Sequence, residues 1–277
     1  MTIRGEEPVV RWGRELARWA IPEWILVQAS ASPWECVPAD FRADDGPAAA
    51  PLSARFEREV IPAGGSVLDV GCGGGRASLA LVPPGAAITG VDESEAMLAQ
   101  LTATAADRAV PVDVVHGRWP DVAPDVAPAD VVVCHHVVYN APDIVPFLSA
   151  LTSHARLAVV VELTARHPQV AWTDAWRHFW GLDRPSGPTA DDLVAVVRDL
   201  GWSPEVWRQQ RPEADDPFTD GDSGAPSERA VRSTLRRLCL PGDRSDEVAR
   251  YLAIHGLAWP REIVTLRWPG SVEAVAT

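Results

Sequence analysis

The sequence predicts an α/β protein on a doubly wound, mostly parallel seven-stranded sheet with helices on both faces. Two observations carry this expectation. Short apolar runs and helical periodicities alternate five times up to Val161, the order that a parallel sheet with crossover helices produces. The first run, Val67–Val70, stops at a glycine cluster, Gly71, Gly73, Gly74 and Gly75, after which Arg76–Leu81 can begin a helix. Glycine suits such a turn because the chain visits positive φ there, and because backbone can touch a ligand only where no Cβ intervenes. The helix end behind it offers unpaired N–H groups and a partial positive charge.

Taken in order, residues 1–60 differ in texture from the rest, with tryptophans at 12, 19, 24 and 34. Arg11–Ala20 and Pro22–Ala29 read as short amphipathic helices, with Trp12, Leu16 and Trp19 at helical spacing. They form either a packed helical cap or a lid. Pro38–Pro51 reads as a connector, and Ser53–Val60 as a helix leading into the first strand. Ala86–Val91 is a second buried strand ending at Asp92, 21 positions after Gly71. An acid at that place can accept two hydrogen bonds from vicinal ribose hydroxyls, or can simply favour the helix that Ser94 caps. That helix turns Met97, Leu98 and Leu101 toward the sheet.

Val112–Val115 and Asp130–Cys134 are the third and fourth strands, Pro142–Ala155 a helix crossing back, and Leu157–Val161 a fifth strand ending at Glu162. His167–Trp180 reads as a helix with Trp172, Trp176 and Trp180 on one face, a core stripe or a substrate-facing wall. Pro188–Gly201 is a helix with a capping-box start at Thr189 and Asp192, and Pro204–Gln209 is the sixth strand. Arg211–Glu228 turns acidic and loop-like; Asp220-Gly221-Asp222 within it does not complete a calcium loop. Helices at about 228–239 and 245–255 and a last strand at Ile263–Trp268 follow. The expected organisation is one structural domain: a helical cap at 1–60 and a core at 61–277 with a helical insertion at about 211–261.

Spacing in the glycine turn separates two ligand classes. A dinucleotide fingerprint, G-x-G-x-x-G counted from Gly71, puts Arg76 at its last glycine. Asp69, Gly71, Gly73 and Gly75 instead spell D-x-G-x-G-x-G, which resembles the first motif of class I S-adenosylmethionine-dependent methyltransferases. The resemblance is specific over residues 61–140. It implies S-adenosyl-L-methionine as cofactor, held through Asp69, Gly71, Cys72, Gly73, Gly75, Asp92, Glu93, Met97, Gly117, Arg118, Trp119 and Cys134. By the same resemblance Asp69 helps hold the ligand's amino group, and the loop His116–Asp121 lines its adenine. There the family's frequent acid is replaced by Arg118, leaving Trp119 to stack on the ring or pack in the core, and Asp121 to meet the amine. A last strand entering antiparallel, and N-terminal helices acting as a lid, are also implied. The rival readings are a non-catalytic protein that binds the same ligand, an NAD(P)-dependent oxidoreductase and a methyltransferase acting on protein.

The end of the fourth strand, Cys134-His135-His136-Val137-Val138-Tyr139-Asn140, is the most polar strand terminus in the chain. Ligands of open α/β sheets bind beyond such ends. His135 or His136, with Tyr139 nearby, is therefore the candidate base for a small-molecule oxygen or nitrogen acceptor, since imidazole titrates near neutrality; either histidine could instead pack beneath the ligand. No further Cys/His cluster has metal-ligand spacing, so no metal is expected. All 25 basic residues are arginine against 38 acids, a net charge of −13, which repels a phosphate backbone and argues against nucleic acid. The nearest approach to a basic patch, Arg229, Arg232, Arg236 and Arg237, reads as a solvated helix face. Four cysteines, Cys36, Cys72, Cys134 and Cys239, show no disulfide or C-x-x-C pattern, and no apolar run reaches membrane-helix length. A cytoplasmic enzyme is the expectation.

Overall fold

The computed structural model describes residues 6–34, 50–212 and 226–271. Cys36, nearly all of the Pro38–Pro51 connector and the Asp220–Asp222 triplet lie outside the described residues.

Seven strands form one sheet: β1 (Ser66–Val70), β2 (Ala87–Asp92), β3 (Val112–His116), β4 (Ala129–His135), β5 (Ala155–Thr164), β6 (Glu205–Gln210) and β7 (Glu262–Pro269). Their spatial order is β3-β2-β1-β4-β5-β7-β6. The first five are parallel, while β7 enters antiparallel between β5 and β6. The order reverses between β1 and β4, so the chains leaving those two strands diverge and open a crevice at their carboxyl ends. Val131–Cys134 and Val159–Val161 are buried on both faces, as central parallel strands require.

Helices cover the two faces. On one side lie α3 (Ala54–Arg58), α4 (Arg76–Leu79) and α5 (Glu95–Asp107), around Ile61, Val67, Leu81, Val131, Val133 and, under α5, Ile88, Leu98 and Leu101. On the other lie α6 (Ile144–His154) and α8 (Ala190–Asp199), which bury Leu148, Leu151, Leu193 and Val197 against β4, β5 and β7. Between β3 and β4 there is only a 3₁₀ turn, Ala123–Asp125.

The N-terminal helices are part of the packing. Proline at the first position starts α1 (Pro8–Ala17) earlier than hydrophobic spacing alone predicts. Trp12 is fully buried in the main core and donates its indole N–H to Ala141 O at 2.9 Å; Arg11 meets Asp192 of α8 at 2.8 Å. Trp19 donates to Gly187 O at 2.5 Å. The next helix, α2 (Glu23–Leu26), places Ile25 in a second core with α7 (Thr173–Trp180), α9 (Glu228–Arg237) and α10 (Ser245–His255). The predicted helix at 167–180 is split into a 3₁₀ stretch, Pro168–Trp172, and α7, which Gly181 ends in the left-handed region. Trp172 and Trp176 of the predicted stripe are core, and Trp180 packs beside them, its indole donating to Leu238 O.

Candidate active site at the switch point

The glycine turn is built as its sequence requires. Gly71, Gly73 and Gly75 have φ of 71°, 50° and 83°, and the N–H groups of Gly71 and Cys72 both donate to Val91 O, at 2.7 and 3.0 Å. The three glycines nevertheless face different surroundings. A Cβ on Gly75 would meet Leu101, one on Gly71 would sit 2.3 Å from Val137 Cγ2, and one on Gly73 would meet nothing within 4 Å. Gly75 thus allows close packing on α5, Gly71 lets the loop after β4 close onto the turn, and Gly73 exposes bare backbone to open space.

Asp92, half-buried at the end of β2, accepts the Gly73 N–H on one carboxylate oxygen and the Ser94 N–H on the other, each at 2.9 Å. Each oxygen keeps lone-pair capacity for a further donor. An open glycine backbone beside a partly solvated carboxylate suits a nucleoside whose ribose hydroxyls donate to that carboxylate. Asp69 differs. It is 1% exposed, its carboxylate accepts the Ser78 N–H of α4 at 3.3 Å, and burial pushes its pKa up to about 6. It braces the start of α4 from inside.

Other sequence-derived ligand positions separate likewise. Gly117, Arg118 and Glu93 lie at or near the surface by the β2 and β3 ends, with Gly117 N–H donating to Asp92 O at 3.0 Å. Met97, Cys72 and Cys134 are buried, and burial holds both thiols protonated. Trp119 is core: its indole donates to Phe147 O at 3.3 Å, and its ring meets His154 edge-on. Stacking on an adenine is therefore not its role. Trp119→Phe should keep nucleoside affinity within about twofold while costing on the order of 1 kcal/mol for the lost hydrogen bond, read from urea unfolding and ligand titration.

The two histidines have opposite fates. His135, still in the strand, points toward α3 and donates to Glu57 Oε1 at 2.5 Å, with Ser53 Oγ 3.3 Å from the same nitrogen. Glu57 is fully buried. Burial alone would lower the pKa of His135, but the Glu57 carboxylate outweighs it and holds the imidazolium up to about 9. Buried and held by Glu57 and Ser53, the His135 ring is committed to that pair. Tyr139 is likewise committed: its hydroxyl is 2.7 Å from Thr164 Oγ1 and donates to Thr164 O at 3.0 Å, and burial raises its pKa.

His136 leaves the strand with φ of 58°, its N–H donating to Glu162 O at 2.8 Å. Its side chain is 36% exposed, with Nε2 3.1 Å from Glu162 Oε1. Its packed surroundings lower its pKa, against the pull of Glu162. The next residue, Val137, packs on Gly71 of the glycine turn. Sequence reasoning noted Glu162 only as a strand end, and did not single out Ser53 or Glu57. The available signal was a carboxylate inside an otherwise apolar run, which demands a partner when buried. Among the described residues no group of three or more His, Cys, Asp or Glu is arranged to hold a metal ion.

Comparison with known proteins agrees with this geometry. Residues 67–156 match a family model described as a methyltransferase domain. The chain is 30% identical over 151 residues to a ubiquinone biosynthesis O-methyltransferase of Paramagnetospirillum magneticum, covering 49% of this chain and 58% of that one. It is 39% identical over 82 residues to the Pseudomonas paraeruginosa enzyme of the same name, covering 29% and 35%. The chain thus spans less than two thirds of either relative. Among solved structures, YjhP of E. coli is similar with a TM-score of 0.53 at 17% identity, over 91% of this chain and all of that one. A putative methyltransferase from Bacillus halodurans has a TM-score of 0.51 at 13% identity, over 80% and 99%; both likenesses concern the fold. The D-x-G-x-G-x-G turn stands at the switch point of a seven-stranded sheet, inside the stretch that matches the methyltransferase domain, and together they support a class I S-adenosylmethionine-dependent methyltransferase.

Proposed function

We propose that this protein transfers a methyl group from S-adenosylmethionine to a small-molecule acceptor, at oxygen in preference to nitrogen. The observation that supports the reading is the contact of Gly71 with Val137, which brings the loop carrying His136, a partly exposed imidazole paired with Glu162, against the glycine turn. The O-methyltransferase names of the relatives favour oxygen. When bound, the cofactor supplies an electrophilic methyl carbon on a sulfonium with a neutral leaving group. The chain's own work is then to hold the acceptor in line with that carbon and to take its proton, and alignment alone can remove a large entropic barrier.

In this reading Asp92 holds the ribose, the Gly71–Gly75 backbone lies along the methionine part and His136 receives the proton. A surplus of 13 negative charges supports a small acceptor over a nucleic acid. Among the described residues no helix is long and apolar enough to cross a membrane, and Cys72, Cys134 and Cys239 are unpaired, which suits a reducing cytoplasm.

Calorimetric titration with S-adenosylhomocysteine and, separately, NADH tests the proposal. Binding of the thioether alone is expected, weakened at least ~100-fold in Asp92→Ala, because two hydrogen bonds to a charged group contribute roughly 3 kcal/mol or more. Binding of NADH alone would return the protein to the oxidoreductases. Thioether binding without methyl transfer to any of a broad set of phenols, carboxylates and amines would favour the non-catalytic reading.

A further inference from the structure

Four ionisable side chains meet under the end of β4, and their order matters. Glu57 from α3 pairs with His135. Ser53, at the start of the same helix, lies against His135 with its hydroxyl and donates its backbone N–H to Glu162 Oε2 at 2.9 Å. The other oxygen of Glu162 meets His136. The series Glu57–His135–Ser53–Glu162–His136 therefore runs from a fully buried acid to an imidazole that reaches solvent. Every member but the last is inside the protein.

The geometry points to Glu162 as a positioning residue that fixes the ring of His136, with Nε2–H donated to the carboxylate and Nδ1 open as the proton acceptor. This deepens, and rests on, the methyl-transfer reading. The acceptor it selects is a hydroxyl group acidic enough to surrender its proton to an imidazole, a phenol or an enol.

Three facts support the assignment. Glu162 is almost fully buried, and although burial opposes ionisation, the His136 hydrogen bond and the charge of His135 hold it well below the usual carboxylate range. As a permanent anion it can only accept, so the proton between it and Nε2 belongs to the imidazole. Second, His136 is held twice by one residue, its backbone N–H on Glu162 O and its ring on Glu162 Oε1. That double hold stabilises a left-handed backbone that a residue with a Cβ rarely adopts. Third, Nδ1 has no hydrogen-bond partner among the described residues, and the ring is the part of the series that solvent reaches.

The charged groups that act on the ring are Glu162 of β5, Arg211 just past β6 and His135 of β4. Glu162 is the anion among them. In the step itself the acceptor O–H bond breaks and its proton goes to Nδ1. The freed oxygen pair forms the O–C bond as the C–S bond breaks, and the C–S pair stays on sulfur. The imidazolium left behind is neutralised by Glu162, the arrangement by which a buried carboxylate supports a histidine base elsewhere.

Nitrogen-15 labelling of histidine tests this without needing the acceptor. Long-range proton–nitrogen spectra of the full chain, with His136→Gln to assign the signal, should show neutral His136 wholly in the Nε2–H tautomer. In Glu162→Gln both tautomers should appear and the His136 pKa should fall by about 1–2 units, the effect of losing an adjacent opposite charge. Should that variant fail to fold, Glu162→Asp, which keeps the charge but withdraws it by one methylene, should show a smaller shift in the same direction. A wild-type His136 protonated on Nδ1, or a folded variant with tautomer and pKa unchanged, overturns the assignment. Homocysteine-thioether titration of the same samples separates the two claims: wild-type protein that binds no S-adenosylhomocysteine sinks the methyl-transfer reading, whereas the tautomer result decides the role of Glu162 alone.

Discussion

Gly71→Ala should destabilise the protein by about 2–5 kcal/mol and abolish binding of S-adenosylhomocysteine, while Gly73→Ala should cost only about 1–2 kcal/mol in stability and still bind poorly. The two glycines are two positions apart and both lie in the left-handed region, so each substitution carries the roughly 1–2 kcal/mol that an L-residue costs there. What separates them is space. The new methyl at 71 would lie 2.3 Å from Val137 Cγ2 and 2.9 Å from Cγ1, and relieving that overlap means moving the loop that carries His136. Overpacking of this kind adds roughly 1–3 kcal/mol. At 73 the methyl enters open space, the same space a ligand would occupy against the backbone, so the loss appears in affinity. Urea unfolding and calorimetric titration of both variants check the pair. Equal unfolding midpoints would show that the loop after β4 yields freely, and normal ligand affinity of Gly73→Ala would move the ligand off this turn.

Removing Glu57 should have an effect of similar size by a different route. Glu57→Leu leaves the His135 imidazolium buried without its partner, and breaking a buried pair from one side costs about 3–5 kcal/mol. The pair also fixes the sign of a pH effect. His135 titrates at about 9 when folded, above its unfolded value of 6.5, so the folded state holds the proton more tightly. Its stabilisation is fully present below pH 6.5 and is lost as pH rises through about 9. Wild-type stability, followed by urea midpoint from pH 6 to 10, should therefore fall over that window, and the Glu57→Leu variant should lack that fall. A midpoint that stays level from pH 6.5 to 9.5 in the wild type would mean that His135 is neutral and that the contact is an ordinary hydrogen bond.

How much of this was legible in the chain depends on where the partners of each residue lie. The glycine turn was readable because its geometry is local, φ being set at each glycine, whereas Asp92 is local on one side only: it accepts from Ser94 two positions on and from Gly73 19 positions back. The buried strands and their valines followed from periodicity for the same reason. His135 and His136 could not be told apart by sequence, since adjacent residues on a strand differ only in which side they face. Their partners, Glu57 and Glu162, come from α3 and β5, remote in the chain. Trp119 is a similar case: the residue type suits an adenine site, and only the position of Phe147 on α6 assigns it to the core. The sequence also marked Asp69 by its motif, although its carboxylate turns inward onto α4. Resemblance identifies which residue occupies a position, and packing decides which way it faces.

The antiparallel entry of β7 bears on the order in which the molecule can assemble. Among the described residues strand β6 bonds to β7 on its inner side and to no other strand, so residues 205–210 take their place in the sheet only once 262–269 have left the ribosome. The five parallel strands, by contrast, are complete at Thr164. During synthesis the half that carries the glycine turn can therefore close first, with the open edge of β5, its valines and Glu162 included, waiting for a strand about a hundred positions downstream, roughly 5–20 s later at ordinary elongation rates. Over that interval the emerging chain displays an unpaired apolar edge, and the helices between β6 and β7 lengthen the wait.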